Sequence, residues 1–342
     1  MSQVPVISAE NQRTKAIRTL LFCTVLWSLS FPAMKALALA QQNLLPGANS
    51  WFLTSVGVMY RFGAAGLILC VIFFSELKTI SRRETEQGMV IAIFGAGGIL
   101  FQMDGIGYTA ASTCAFLTQG YCIFIPLWVA LTRRRRPPLK IFMSTALVVC
   151  GVAILSRLHF HDLKLGRGEW ETLLASLLFT GQILCLESPR YAGNRPENFS
   201  TVMFLVMALL CVPLACATAP STGAFLRAYA SLATGGLLAI LVIFCTLITY
   251  VMMNRWQKHV TATEAGLMYC IEPVMASCLS LFLPAIFSSW ANIHYANEQL
   301  TARLFIGGGL IMAANLLIQS KWLEPVLQDC VKIRQSSGDS AF

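Results

Sequence analysis

Apolar residues in this chain come in blocks of about 20, the length at which an α-helix crosses the hydrocarbon core of a bilayer, and they do not alternate with polar ones. The blocks fall at 17–39, 51–74, 87–108, 110–131, 139–156, 170–188, 199–218, 229–252, 262–283 and 302–319. They predict ten transmembrane helices. Residues 1–16 read as a polar, disordered N-terminus and 321–342 as a polar tail. Arg13, Lys15 and Arg18 followed by an apolar run and Ala36-Leu37-Ala38 have the outline of a signal peptide. Pro32 and Lys35 inside that run, and the blocks that follow it, argue for a retained first helix.

Composition agrees with the pattern. Of 342 residues, 56% are hydrophobic and 12% charged, with a mean hydropathy of +0.66; soluble proteins carry about 25% charged residues. The net charge of +9 has no basic stripe with interleaved aromatics behind it, so no nucleic-acid partner is expected. Cationic residues lie between the blocks. With the N-terminus inside, 18 of the 25 Lys and Arg fall in inside segments, including Arg133 to Arg136 and Lys140. Five, namely Arg157, Lys164, Arg167, Arg227 and Arg303, fall outside. That bias predicts both termini in the cytoplasm and a multi-pass protein of the plasma (inner) membrane. Eleven of the 12 cysteines lie in apolar runs and no CxxC pair occurs, so they read as small buried residues.

The chain divides into two halves, 17–156 and 170–320, around an outside linker at 157–169. The fourth and ninth blocks both follow small and hydroxyl residues, Thr109-Ala110-Ala111-Ser112-Thr113 and Thr261-Ala262-Thr263, and each carries a proline, Pro126 and Pro273. The fifth and tenth carry small residues, Gly151 in one and Gly307-Gly308-Gly309 in the other. Five helices per half place the two copies upside-down to each other. The expected fold class is therefore all-α integral membrane, ten transmembrane helices as two inverted five-helix repeats, an arrangement of secondary transporters with the site at the repeat interface.

Thr261 to Leu267, Glu272-Pro273-Val274, Glu298 to Thr301 and Gly308 to Ile311 resemble the second repeat of EamA-type proteins of the drug/metabolite transporter superfamily. Leu26-Trp27-Ser28, Arg61 and Ala115-Phe116-Leu117 through Pro126 resemble the first. The resemblance covers about residues 17 to 319. The chain departs from the pattern in Arg133 to Pro138, where an acidic residue is expected, and in a long 285–297 segment. The resemblance implies a ten-helix carrier that moves small organic metabolites without ATP, with amino acids or related compounds as candidate substrates and export as the direction.

Glu272, followed by Pro273, is the leading candidate residue. An ionised group at mid-bilayer costs about 2.5–3.5 kcal/mol on insertion scales, so it belongs in a protein interior or wet cavity. There it would bind a substrate amine, load and release a proton, or bond a neighbouring helix. Pro273 removes an N–H, freeing the carbonyl of Tyr269 and kinking the helix. Arg61, about ten residues into the second block, would hold a substrate carboxylate or pair with Glu272, pairing being favoured because buried charges are usually paired. Gln119 and Gln182 need partners in an apolar core. Trp27, Tyr108, Tyr121 and Tyr269 would line a cavity or pack. Pro32, Pro126 and Pro273 are the candidate hinges. Lys35, Asp104 and Glu187 read as span-end residues, with Lys35 snorkelling outward.

His159, His161 and Asp162 lack a further ligand, so no metal is expected, and no cofactor. Without a phosphate loop the chain does not hydrolyse nucleotide, and no enzyme activity is expected. The reading is a gradient- or proton-driven carrier, monomer or homodimer, with a small-molecule substrate and membrane lipid as partners. The alternatives are a membrane enzyme acting on a lipid-linked substrate, for which only the His159–Asp162 loop speaks, and a non-transporting scaffold, against which Glu272 and Arg61 speak.

Overall fold

The computed structural model describes residues 4–132, 139–155, 165–186, 188–260 and 268–319, and helices are the only regular elements among them. They are α1 (Val4–Leu44), α2 (Ser50–Ile72), α3 (Arg82–Tyr108), α4 (Ala111–Thr118), α5 (Tyr121–Thr132), α6 (Leu139–Leu155), α7 (Arg167–Leu186) and α8 (Pro196–Thr218). There follow α9 (Leu232–Trp256), α10 (Glu272–Ser280), α11 (Leu283–Ala291) and α12 (Ala302–Gln319). The stretch Asn11–Leu44 of α1, with α2, α3, α8 and α9, gives five helices long and apolar enough to cross a membrane. The pair α10–α11, bent by 54°, makes a sixth. Shorter apolar helices cover Ala111–Ile125, Phe142–Leu155 and Ala302–Leu317.

Large apolar side chains face outward, among them Leu67, Val71, Trp128, Leu209, Leu232 and Phe305, while Arg61, Asp104, Gln119 and Asn315 are buried. Apolar outside and polar inside is the reverse of a water-soluble surface. The molecule is an all-helical, multi-pass membrane protein.

Local sequence explains the helix starts. Ser81 and Glu84 form a reciprocal capping box at α3, satisfying two orphan N–H groups. Asn49 caps α2 and Ser231 caps α9 through side-chain oxygens. Pro196 opens α8 in the first turn, where a missing N–H is harmless.

The helices pack in a definite set of pairs. α3 lies along α7 and α8, α2 along α8, and α6 along α12; α1 touches α9, α10 and α11, and α4 lies against α7 and α10. Close approach rests on small residues. A Cβ on Gly151 would sit 2.7 Å from the carbonyl of Gly307, and one on Gly98 would enter the ring of Phe179.

Charge clusters pin α3 at both ends, to the start of α8 at one and to α7 and α2 at the other. At one end the Glu84 carboxylate accepts from Arg195 Nε (2.9 Å), the Arg195 main-chain N (3.0 Å) and Asn198 Nδ2 (3.0 Å). At the other, Arg167 reaches Asp104 (2.5 Å), Glu171 (2.7 Å), Tyr108 Oη (2.8 Å) and Ser50 Oγ (3.2 Å).

Three expectations need correction. α1 begins at Val4, so most of 1–16 is helical; Pro5 sits in the first turn, which tolerates it. α1 then runs unbroken through Ala36–Ala38, two of whose three residues, Ala36 and Leu37, are fully buried. The fourth block is two helices, broken at Gln119–Gly120 instead of at Pro126, which lies inside α5. There α7 comes so close that a Cβ on Gly120 would stand 2.7 Å from Ser176 Oγ. The ninth block is broken at Cys270–Ile271 and continues through α11 to Ala291, so helix occupies much of the expected 285–297 loop. Residues 133–138, 187 and 261–267 and the His159–Asp162 loop lie outside the described residues. All eleven described cysteines are unbridged.

Gly307 and Gly309 separate packing from propensity on one helix. A Cβ at Gly307 meets Leu155 Cγ at 2.8 Å and the Gly151 carbonyl at 2.9 Å, whereas at Gly309 nothing lies within 4 Å. Gly307→Ala should cost about 1–3 kcal/mol by overpacking, and Gly309→Ala should gain up to about 1 kcal/mol of helix propensity. Thermal unfolding in detergent reads the difference.

Candidate functional site

The break ahead of α10 organises the centre of the molecule. Pro273 occupies the first turn of α10, so its missing N–H breaks no ladder within that helix, but it has no donor to offer the carbonyl of Tyr269, four residues back. The amide of Gln119, at the matching break between α4 and α5, supplies one: Nε2 donates to Tyr269 O at 3.1 Å and to Glu272 Oε2 at 3.2 Å. Gln119 is fully buried and its own Oε1 lies 3.7 Å from Cys122 Sγ. A single amide thus joins two interrupted helices and fixes the carboxylate at the N-terminal turn of one of them, where the helix dipole favours negative charge.

From the other side, Ser28 Oγ donates to the carbonyl of Glu272 at 2.9 Å. Ser28 stands at the midpoint of the apolar stretch Asn11–Leu44, so Glu272 sits near the middle of the bundle's depth. Trp27 packs edge-on against Tyr250 (5.5 Å between ring centroids) and Tyr269 (5.7 Å), and Tyr269 Oη bonds Gln257 Oε1 at 3.0 Å. Glu272, Trp27 and Tyr269 are half-buried. Tyr121 and Tyr250, both buried, complete the surroundings of the carboxylate. Gln182 is buried on α7 beside Tyr250, its oxygen over Gly95 of α3.

Arg61 lies at the midpoint of α2 and is 2% exposed. Its guanidinium donates to Thr246 Oγ1 (2.6 Å), the Cys245 carbonyl (3.1 Å) and Met34 Sδ (3.4 Å). Cys245 and Thr246 belong to a π turn, Ile243–Ile248, inside α9; such turns loosen the regular ladder and recur at functional sites. No described carboxylate forms an ion pair with Arg61. The expected Arg61–Glu272 pair is therefore not formed. α1 stands between the two, with Met34 against Arg61 and Ser28 against Glu272.

Of the remaining candidates, Tyr108 is 50% exposed and holds Arg167 at the end of α3, so it is not part of the central cluster. Asp104 is buried in that same end network, accepting also from Thr54 at 3.2 Å. Lys35 does not snorkel outward. It is half-buried, with Nζ on the Thr109 carbonyl at 2.5 Å. Pro32 lies within α1 and leaves the Ser28 carbonyl without a helical donor,. Among the described residues no group of three His, Cys, Asp or Glu could hold a metal.

Sequence reading missed Ser28, Thr246 and Tyr250 as contributors. One signal was available: Thr24, Ser28 and Lys35 share a single face of α1 at spacings of four and seven, a polar stripe on an otherwise apolar helix.

No protein-family model matches the chain and no curated protein matches it. Sixteen chains of solved structures do match. One crystal structure of a protein superposes with a TM-score of 0.58 at 16% identity, over 91% of this chain and 99% of its own. At that identity the likeness concerns the fold alone.

Gln119→Leu tests the junction. It removes the amide's bonds to the Tyr269 carbonyl and to Glu272 while keeping bulk, and should cost about 1–3 kcal/mol. Gln182→Leu, which leaves the junction intact, should cost less in the same unfolding assay.

Proposed function

We propose that the protein is a secondary transporter of small organic metabolites, an EamA-like member of the drug/metabolite transporter superfamily with ten spans in two inverted repeats. Several observations support the repeat. Exchanging the halves maps the pairing of α3 with α7 onto that of α9 with α1, and α3 with α8 onto α9 with α2. It maps the α2–α8 and α6–α12 pairs onto themselves. The interruptions also correspond to within one residue, Gln119–Gly120 lying ten and eleven residues after Thr109 and Cys270–Ile271 nine and ten after Thr261. Contacts at the ends fit antiparallel alternation: Glu84 meets Arg195 at one end, while Arg167 meets Ser50 and Asn43 meets Asn292 at the other. With the bias of basic residues, both termini lie in the cytoplasm and the Lys35 end lies outside.

The observation that carries the function is the half-buried Glu272, at mid-depth, held by Gln119 and Ser28 and flanked by Trp27, Tyr250 and Tyr269. A lone carboxylate beside aromatic faces suits an amine-bearing substrate, by charge and by cation–π attraction. Broken helices at mid-membrane are the way carriers build such sites. With no ion pair to Arg61, Glu272 is free to exchange a proton for a substrate cation as the halves rock. The driving energy is a proton gradient or the gradient of the substrate itself. Arg61, engaged by α9, serves as a fixed internal cation that holds the π turn.

Counterflow in proteoliposomes, with a mixed panel of labelled amines and amino acids, tests the proposal. Wild type should accumulate at least one panel member. Glu272→Gln should lower that uptake by about tenfold or more, equivalent to about 1.4 kcal/mol. A Glu272→Gln protein that matches wild type at every pH would remove the coupling role.

A further inference from the structure

The stripe on α1 that touches Glu272 continues for two turns to Lys35, and on α10 Ser280 lies two turns beyond Glu272. At 1.5 Å per residue both are about 10–12 Å from the central site along the same pair of helices. Around them α1, α10, the start of α4 and the chain leading into α12 come together. Lys35 Nζ donates to the Thr109 carbonyl, and its ring neighbour is Tyr295, 6.0 Å from Nζ to the centroid. Glu298 accepts from the Ser112 main-chain N at 3.3 Å and from Ser112 Oγ, and its own N donates to the Ser280 carbonyl at 2.9 Å.

We propose that Lys35, Ser112 and Glu298 form a gate that is closed in this conformation and separates to admit water, and substrate, to the path leading to Glu272. The inference rests on the transporter reading for its purpose, and on three features of the junction for its substance. First, the junction is under-satisfied. The Ser280 and Tyr295 hydroxyls are buried without a hydrogen-bond partner, and Lys35 forms no ion pair although Glu298 is close enough to attract it. Buried polar groups short of partners are costly, and that cost is relieved if the groups become wet in a second state. Secondly, Glu298 is borne by an irregular segment, 293–301, between α11 and α12, so its release requires no helix to unwind. Thirdly, the ion pairs among the described residues are Glu84–Arg195, Glu86–Arg190 and those of Arg167 with Asp104 and Glu171, which tie α3, α7, α8 and the turn between the last two, with α2 added through Ser50. Among the described residues none of these involves α4, α10 or α12, or Lys35 at this end of α1. The molecule is fastened on one side and latched by neutral and single-charge hydrogen bonds on the other.

Hydrogen–deuterium exchange in lipid nanodiscs reads the gate without a substrate. Compared with wild type, Glu298→Gln and Ser112→Ala should each speed exchange about tenfold in 109–118 and 293–301. Exchange in α3, α7 and α8 should be unchanged. Lys35→Met, which alters the facing group, should give the same local pattern. Unchanged exchange in all three variants would overturn the proposal, and so would a rise spread over α3, α7 and α8, because the contacts would then be structural props. A local rise in a protein that gives no counterflow would keep the gate and refute the transporter reading, so the two can fail separately.

Discussion

A main-chain carbonyl inside a bilayer has no water to bond, and a proline four residues later takes away its only local donor. In this chain that carbonyl belongs to Tyr269, and much of the centre of the molecule follows from how it is met. Gln119 meets it from a second interrupted helix, and the same amide reaches Glu272. Once the two breaks are joined, α10 starts at mid-depth with its positive end beside the carboxylate, and α1 is drawn in through Ser28. The aromatic side chains of Trp27, Tyr250 and Tyr269 then have only one place to pack, beside that carboxylate.

Charge is distributed unevenly about this centre. α3 is tied at both ends by ion pairs that include its buried acids, Glu84 to the start of α8 and Asp104 to α7, and α2 joins the second end through Ser50. Arg61 belongs to the tied side too, anchoring the π turn of α9 through a hydroxyl and a carbonyl. On the side of α1, α4 and α10 the described polar connections include the hydrogen bonds of Ser28, Lys35, Ser112 and Gln119, and the breaks at Gln119–Gly120 and Cys270–Ile271 lie there. Stiffness on one side and interruption on the other is a physical basis for motion about a fixed centre. Gly151 against Gly307 lets α6 and α12 pack backbone to backbone at the margin of the bundle.

Block length and hydropathy were enough to place most helix boundaries, because lipid demands about 20 apolar residues whatever their identity. α2, α6, α8 and α12 lie within a few residues of where the pattern puts them. The interruptions were not legible in the same way. Pro126 signals a break but lies inside α5; the break falls instead at Gln119–Gly120, where α7 passes close to Gly120 at Ser176. Pro273 did signal the freed carbonyl correctly; the identity of the donor that meets it depends on which helices touch. For the same reason the two charges expected to pair were kept apart by α1, and Lys35, which hydropathy sends to the surface, is turned inward by Thr109. Glu272 stood out in sequence because a single acid in an apolar block is costly. Ser28 and Tyr250 did not, because serine and tyrosine in spans are common.

The most direct measurement is an experimental structure of the protein in a lipid nanodisc, with the bilayer density visible. The expected result places Gln119 in hydrogen-bond contact with the Tyr269 carbonyl and Glu272, level with Arg61 at the bilayer mid-plane and screened from lipid by α1 and α4. A structure with Glu272 against acyl chains, or with both halves crossing the membrane in the same sense, would contradict it.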